Sequence, residues 1–358
     1  MLRTCVLVIV CDLLNLTQSF GQQPWQNFDT TTRASLRGLA AVSKDVAWAC
    51  GSQGTIVRTL DGGSRWNRIS IPQLDKLDKL EFRSIHAWDG NRAIVATAGQ
   101  PAVIMKTIDG GSTWLKVYEN PSPQAFFDGM RFFNDQTGLA FSDPVDGGLL
   151  IVKSLDGGNS WSVIEPSAIP KMEDGEAGFA ASNSTLFVSE NKAWIGLGGG
   201  SAGSSRMFRS NDRGDSWAFE RVEPILRGES AGIFSVAFDG EFKGVCVGGD
   251  YRKESTAEHN IALSEDGGMS WRSPKKSRPL GFRSCVVSAL VRAPSAAAES
   301  PMWLTCGPTG CDWSSDRESW QALSETGFHV LSVSIDNVVW AAGSDGRVAK
   351  FLGLRDRR

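Results

Sequence analysis

Apolar residues along this chain come in short runs, each broken by glycine and followed by another. DVAWACGSQGTIVRT from Asp45, RAIVATAGQPAVIMKT from Arg92 and KAWIGLGGGSAGSSRMFRS from Lys192 share this layout: a β-branched and aromatic run, a glycine turn, a second run. No segment carries apolar residues at the three-to-four spacing of a helix. Composition and period both read as strands joined by turns.

Most of these paired runs end in the same octapeptide. TLDGGSRW starts at Thr59, TIDGGSTW at Thr107, SLDGGNSW at Ser154, SNDRGDSW at Ser210 and SEDGGMSW at Ser264. Their aspartates, Asp61, Asp109, Asp156, Asp212 and Asp266, stand 48, 47, 56 and 54 residues apart, and a degenerate copy, SSDRESW, ends at Trp320. Self-similarity at this period marks a propeller or solenoid. Four strands per unit of about fifty residues fits a propeller blade. The octapeptide reads as frame: the Asp accepts backbone N–H groups in a tight turn, and the Gly two residues later tolerates positive φ. Trp66, Trp114, Trp161, Trp217 and Trp271 each supply a large apolar body to bury between sheets.

The motif S/T-x-D-x-G-x-S/T-W resembles the Asp-box, or bacterial neuraminidase repeat. Its use in nearly every blade resembles the photosystem II stability/assembly factor propellers and their non-photosynthetic bacterial relatives. The expected fold is all-β: a single seven-bladed β-propeller over residues 22–358, four antiparallel strands per blade. Six blades fall at 34–71, 82–119, 126–165, 178–222, 231–274 and 281–323. The seventh, FHVLSVSIDNVVWAAGSDGRVAKFLG, holds only three strands. Pro24 to Phe28 supplies the fourth, with Trp25 standing where each octapeptide Trp stands, and this closes the ring. The resemblance also implies that the octapeptide turns lie on the face opposite the starts of the innermost strands.

Those starts carry the candidate chemistry. Aligned, they read Leu36-Arg37, Phe82-Arg83, Met130-Arg131, Phe179-Ala180, Ile233-Phe234, Phe282-Arg283 and Phe328-His329. A cationic ring of Arg37, Arg83, Arg131 and Arg283, with His329, is therefore expected at one channel mouth. Neighbouring loops bring Asp143, Glu176, Asp250 and Tyr251. Forked guanidinium groups suit an anionic or carboxylate-bearing ligand, whether a protein partner or a glycan; an ion network of purely architectural use is the competing expectation.

The remaining features narrow the class. A net charge of −3 on 358 residues argues against a nucleic-acid binder. Residues 2–11, LRTCVLVIVC, are apolar but too short to span a bilayer, and Ser19 and Gly21 precede a possible cut before Gln22. A signal peptide over 1–21 and a secreted or periplasmic, monomeric protein are expected. Cys306 and Cys311 bracket the turn GPTG and are expected to face each other, bonded or not. No cysteine pair has zinc spacing, so neither a metal nor a cofactor is expected. A sialidase-like or other glycoside hydrolase is the enzymatic alternative, with Glu176 and Asp250 as its two carboxylates; no cofactor fingerprint supports the oxidoreductase label some relatives carry. The charged stretch LDKLDKLE (74–81) reads as a solvated loop or short helical turn, APSAAAES (293–300) as a hairpin loop, and Asn183-Ser184-Thr185 matches a glycosylation sequon.

Overall fold

The computed structural model describes residues 24–354 except 73, 75–76 and 293–298. The signal peptide expected over residues 1–21 and most of the APSAAAES stretch lie outside the described residues. Seven antiparallel sheets follow one another along the chain as the blades of a propeller. Blade 1 is Leu36–Ala41, Ala47–Gly51, Thr55–Thr59 and Asn67–Ile69, and the later blades repeat this order from axis to rim. The described residues contain three short 3-10 turns, one of them at Leu77–Lys79 in the charged stretch, and no α-helix. Among the described residues no helix is long and apolar enough to cross a membrane.

One blade departs from four strands. In blade 5, Ala231–Asp239, Lys243–Asp250 and Ile261–Ser264 pair as usual, but the outer position is reduced to a bridge between Leu263 and Arg272. On its axial side the sheet gains two short strands from blade 4 loops, Gly198–Gly199 and Glu176–Ala177. Sequence between blades 3 and 5 thus folds inward over the axis rather than around the rim.

The octapeptide turns are built alike. In blade 3, Ser154 Oγ donates to Asp156 Oδ1 (2.9 Å) and accepts from Gly158 N (2.8 Å), while Ser160 donates to the same carboxylate from both its N–H and its hydroxyl. Gly158 holds φ +82°, and a Cβ there would meet Ile94 of blade 2 at 2.9 Å. The positive φ is what favours glycine here, and the Ile94 side chain packs into the space a Cβ would take. Hydrogen bonds hold these carboxylates down: Asp109 lies at about 2, chiefly through Thr113. Each turn also donates a bond to the turn joining its blade's first and second strands, as Gly62 N does to Asp45 O and Gly157 N to Gln136 O. The octapeptides therefore sit at the ends, not the starts, of the innermost strands.

Between blades the core is aromatic. Trp48, Trp194 and Trp340 lie at equivalent places on second strands and are fully buried. Each indole N–H donates to a turn of the next blade: Trp48 to Asp89 O (3.0 Å), Trp194 to Gly267 O (2.9 Å) and Trp340 to Ser43 O (3.1 Å). The Trp340 bond spans the junction between blade 7 and blade 1. These side chains bury apolar area and satisfy their one polar atom at once.

Blade 7 closes as the sequence implies. Trp25–Phe28 pairs antiparallel with Val348–Phe351, Trp25 opposite Phe351 and Phe28 opposite Val348. Trp25 is buried against Phe328 and Phe351. Removal of residues 24–29 is expected to expose the edge of Val348–Phe351 and to leave Phe328 and Phe351 unpacked. Aggregation during size-exclusion chromatography and a lower melting temperature would follow; a soluble monomer with an unchanged melting temperature would contradict this role.

Candidate functional site

Seven innermost strands converge on the axis, and a bulge near the start of most of them turns one residue toward the channel. Pairing registers identify that residue. The register skips between Leu36 and Gly38, Phe82 and Ser84, Phe127 and Gly129, and Ile233 and Ser235. The residues so displayed are Arg37, Arg83, Asp128 and Phe234; counting from the same cross-strand partners puts Ser184, Ser284 and His329 at this level in blades 4, 6 and 7. The next residue is small in most blades, because the strands crowd there. A Cβ on Gly38 would meet Cys50 Sγ at 2.4 Å and Arg83 O at 2.9 Å.

Two members of the sequence-derived ring consequently stand elsewhere. Arg131 lies three residues beyond the ring position of blade 3, which belongs to Asp128, so it faces the opposite end of the channel. Arg283 lies one residue before Ser284 and turns into its own blade. There its Nε bonds Asp312 Oδ2 at 2.6 Å and its NH1 bonds Phe282 O and Thr309 Oγ1, with 1% of the residue exposed.

Arg37, Arg83 and His329 do meet. They line a cavity of about 550 Å³ at the strand-start mouth, together with Asp128 and Asp143. Its apolar wall is an aromatic cluster: Phe179 stacks on Phe234 (centroids 4.0 Å), Phe282 packs edge-on to Phe234, and Tyr251 packs edge-on to both Phe179 and Phe234. Arg83 reaches Glu81 (Nε–Oε2 3.5 Å) and Ala180 O (3.3 Å). Arg37 has neither hydrogen bond nor ion pair among the described residues. Burial, then the Arg83 charge, brings it down to about 10. His329 is pushed to about 3 by burial and by Arg37 and Arg83, so it is neutral, and its Nε2 meets Ser344 Oγ at 3.0 Å.

The carboxyl groups of the mouth behave differently. Asp128 is 1% exposed, and neither of its oxygens receives a bond from an N–H or hydroxyl group. Burial, and then the adjoining Asp143, raise it well above the usual carboxylate range. Asp143 rises to about 6, again through burial, although Gly178 N donates to it at 3.0 Å. Like charges this close do not both ionise in a dry site, so the pair shares a proton near neutral pH.

Glu176 and Asp250 do not line the cavity. Glu176 is buried in a forked ion pair with Arg206, through Nε (2.8 Å) and NH2. Asp250 accepts from Ser230 Oγ (2.7 Å) and Arg252 N (2.9 Å). Among the described residues no cluster of His, Cys, Asp and Glu could hold a metal ion.

Below the cavity the channel is closed by residues 180–185. Asn183, at φ +57°, donates to Ile85 O of blade 2 and accepts from Met130 N of blade 3. Ser182 donates to Ser284 O of blade 6, and Thr185 to Phe234 O of blade 5. Hydroxyls run on from Ser182 through Ser184 (2.6 Å) to Ser235 (2.7 Å). This plug contains the sequon, and Asn183 is fully buried, so the folded protein offers no acceptor there. Cys306 and Cys311 face each other across paired strands as free, buried thiols, with Cys285 opposite Cys306 on the other side.

Sequence reasoning missed Asp128, the aromatic wall and the plug. A signal for Asp128 was present: Leu36-Arg37-Gly38, Phe82-Arg83-Ser84 and Phe127-Asp128-Gly129 share an apolar residue, a ring residue and a small one. The plug has no counterpart in other blades, so no repeat alignment could reveal it.

Comparison with known proteins agrees with the fold. Residues 17–124 match the family model described as photosynthesis system II assembly factor YCF48. None of the curated protein sequences matches the chain. Among solved structures, YCF48 bound to D1 peptide is similar at 16% identity and TM-score 0.62, over 94% of this chain and 96% of that one. YCF48 from Cyanidioschyzon merolae is similar at 14% identity and TM-score 0.62, over 91% and 98%. The Niastella koreensis GH74 enzyme matches at 12% identity and TM-score 0.52, over 88% of this chain and 63% of that one. The chain is thus a seven-bladed propeller like the photosystem II assembly factors, on a fold that also serves enzymes.

Two expectations separate architecture from surface chemistry. Arg283→Ala leaves the buried Asp312 unpaired and is expected to cost about 3–5 kcal/mol, whereas Arg37→Ala removes a partnerless charge and is expected to leave the melting temperature unchanged or higher. Equal losses in urea melts would refute the distinction. The carboxyl pair gives a pH signature. Folded-state carboxyls raised above their unfolded values favour the folded state below the ordinary carboxylate range, and that advantage is lost as pH rises through about 6. Asp128→Asn, whose amide can donate to Asp143 without a proton, should therefore raise the melting temperature more at pH 8 than at pH 4; an equal gain, or a loss at pH 8, would show that the pair is not proton-sharing.

Proposed function

We propose that this protein is an exported binding and assembly scaffold that holds a protein partner at the mouth bearing Arg37 and Arg83. The observation that carries this reading is the Arg37 guanidinium. It lines a cavity beside a second arginine and makes neither a hydrogen bond nor an ion pair among the described residues. Keeping such a charge half-buried is unfavourable until an anion arrives, and a carboxylate fits the planar fork. The Asp128–Asp143 pair, holding one proton between its two carboxyls, carries one negative charge rather than two and opposes that positive field less than a count of acidic residues suggests. Beside it, Phe179, Phe234, Phe282 and Tyr251 offer an apolar surface for a neighbouring side chain.

Likeness to the assembly factors supports a partner of protein character. In the solved structure of YCF48 bound to D1 peptide, a propeller of this fold holds a peptide. The apolar run at residues 2–11 and the small residues before Gln22 support export. The site takes a carboxylate-bearing peptide segment, with Arg37 and Arg83 on its carboxylate and the aromatic wall on an adjacent apolar residue.

Fluorescence anisotropy with labelled peptides tests this. Peptides ending in an aromatic residue and a free carboxylate should bind at least tenfold tighter than their C-terminal amides, and binding should weaken with added salt. The double variant Arg37→Ala/Arg83→Ala should lose that preference while keeping its melting temperature. Equal binding of acids and amides to the wild-type protein would overturn the assignment.

A further inference from the structure

The channel has a second cavity beneath the plug. It encloses about 290 Å³ and lies toward the octapeptide face, where the innermost strands end. Phe132, Phe187, Phe238, Val236, Val287 and Leu331 give it an apolar side, and Ser184, Ser288 and Ser332 add hydroxyls. The plug's Ser184 lies at its inner end, so this cavity and the ring-mouth cavity have separate walls.

One charged side chain lines it. Arg131 occupies the level at which blade 1 has Ala40, blade 4 Phe187, blade 5 Ala237 and blade 7 Ser332. Its guanidinium makes a single long bond, from Nε to Leu186 O at 3.4 Å, and has no ion pair among the described residues. Burial lowers its proton affinity from the usual arginine value, which measures the discomfort of the charge. The other ionisable group of the wall, His86, is packed between Trp88 and Phe132 and pushed to about 3, by burial first and by Arg131 second. It is neutral at physiological pH. Apart from the buried Cys285 thiol, whose attraction offsets part of the burial of Arg131, the cavity presents one positive charge beside its apolar side.

We propose that this cavity binds a small aliphatic monocarboxylate, with its carboxylate on Arg131 and its chain against the phenylalanine and valine wall. A carboxylate converts a half-buried guanidinium with one long hydrogen bond into a forked, charge-assisted pair. A single cation calls for a single anionic group, and the apolar wall calls for a hydrocarbon body. The volume lies at the small end of the range for small-molecule sites, which favours a short chain over a long one. The site shares no lining residue with the ring mouth and stands or falls apart from the function proposed there.

Isothermal titration calorimetry of the intact chain with octanoate, octanol and octylammonium tests it. Octanoate should bind at one site per chain, with octanol and octylammonium at least tenfold weaker. Arg131→Gln should weaken octanoate at least tenfold, and Arg37→Ala/Arg83→Ala should leave it unchanged. Should Arg131→Gln fail to fold, Val287→Trp fills the cavity from its wall while keeping the arginine and should abolish binding alike. Absence of octanoate binding to the wild type, octanol binding as tightly as octanoate, or binding insensitive to both Arg131→Gln and Val287→Trp would overturn the proposal. Octanoate binding lost only in Arg37→Ala/Arg83→Ala would assign it to the other mouth and overturn this site.

Discussion

Everything at the centre of this molecule follows from crowding where the innermost strands approach the axis. At the level of Gly38, Ser84, Gly129, Ser235 and Cys285 there is no room for long side chains. Backbones brought so close leave polar groups that water must reach or the protein must satisfy. Residues 180–185 provide the second solution. Their backbone and short polar side chains bond blades 2, 3, 5 and 6 at one point, so a single segment fills the axis and ties strands remote in sequence. The plug also decides the chemistry, because it divides one channel into two chambers of different character.

The two chambers use arginine differently, and position along the strand sets the difference. At the ring level the guanidinium groups of Arg37 and Arg83 meet aromatic rings and a proton-sharing carboxyl pair. Three residues further along the strand, Arg131 meets hydrocarbon and a neutral histidine. Arg283, one residue short of the ring, meets a carboxylate inside its own sheet and is architectural. One residue type, in one stretch of homologous strand, thus serves three ends.

Legibility in the sequence tracks repetition. Five octapeptides with alternating apolar runs specify the strands, the blade number and the closing role of Trp25, because each signal recurs and errors in one copy are corrected by the others. Ring residues are less legible, since a bulge shifts which residue faces the axis and a bulge leaves only a weak trace in composition. Placing Met130-Arg131 beside Leu36-Arg37 matched residue types but not registers; the small residue after each ring position marks the register better. Asp143, Glu176 and Asp250 look alike as loop carboxylates. Their separate fates, a shared proton, a buried ion pair and a turn, depend on partners far along the chain.

The pairing of Trp25–Phe28 with Val348–Phe351 has a consequence for biogenesis. A ribosome delivers the first of these strands long before the second, so each hairpin can fold as it emerges while the circle stays unsealed. For a flexible chain, joining ends more than three hundred residues apart carries an entropic penalty of about 5 kcal/mol beyond a constant, but blades already stacked into an arc have met most of it in advance. Until Phe351 is made, Trp25 lacks its pairing strand and one of the two rings it packs against. The nascent protein therefore carries a conspicuous apolar tag that disappears on completion, and quality-control factors that bind exposed tryptophan would distinguish a finished ring from an interrupted one.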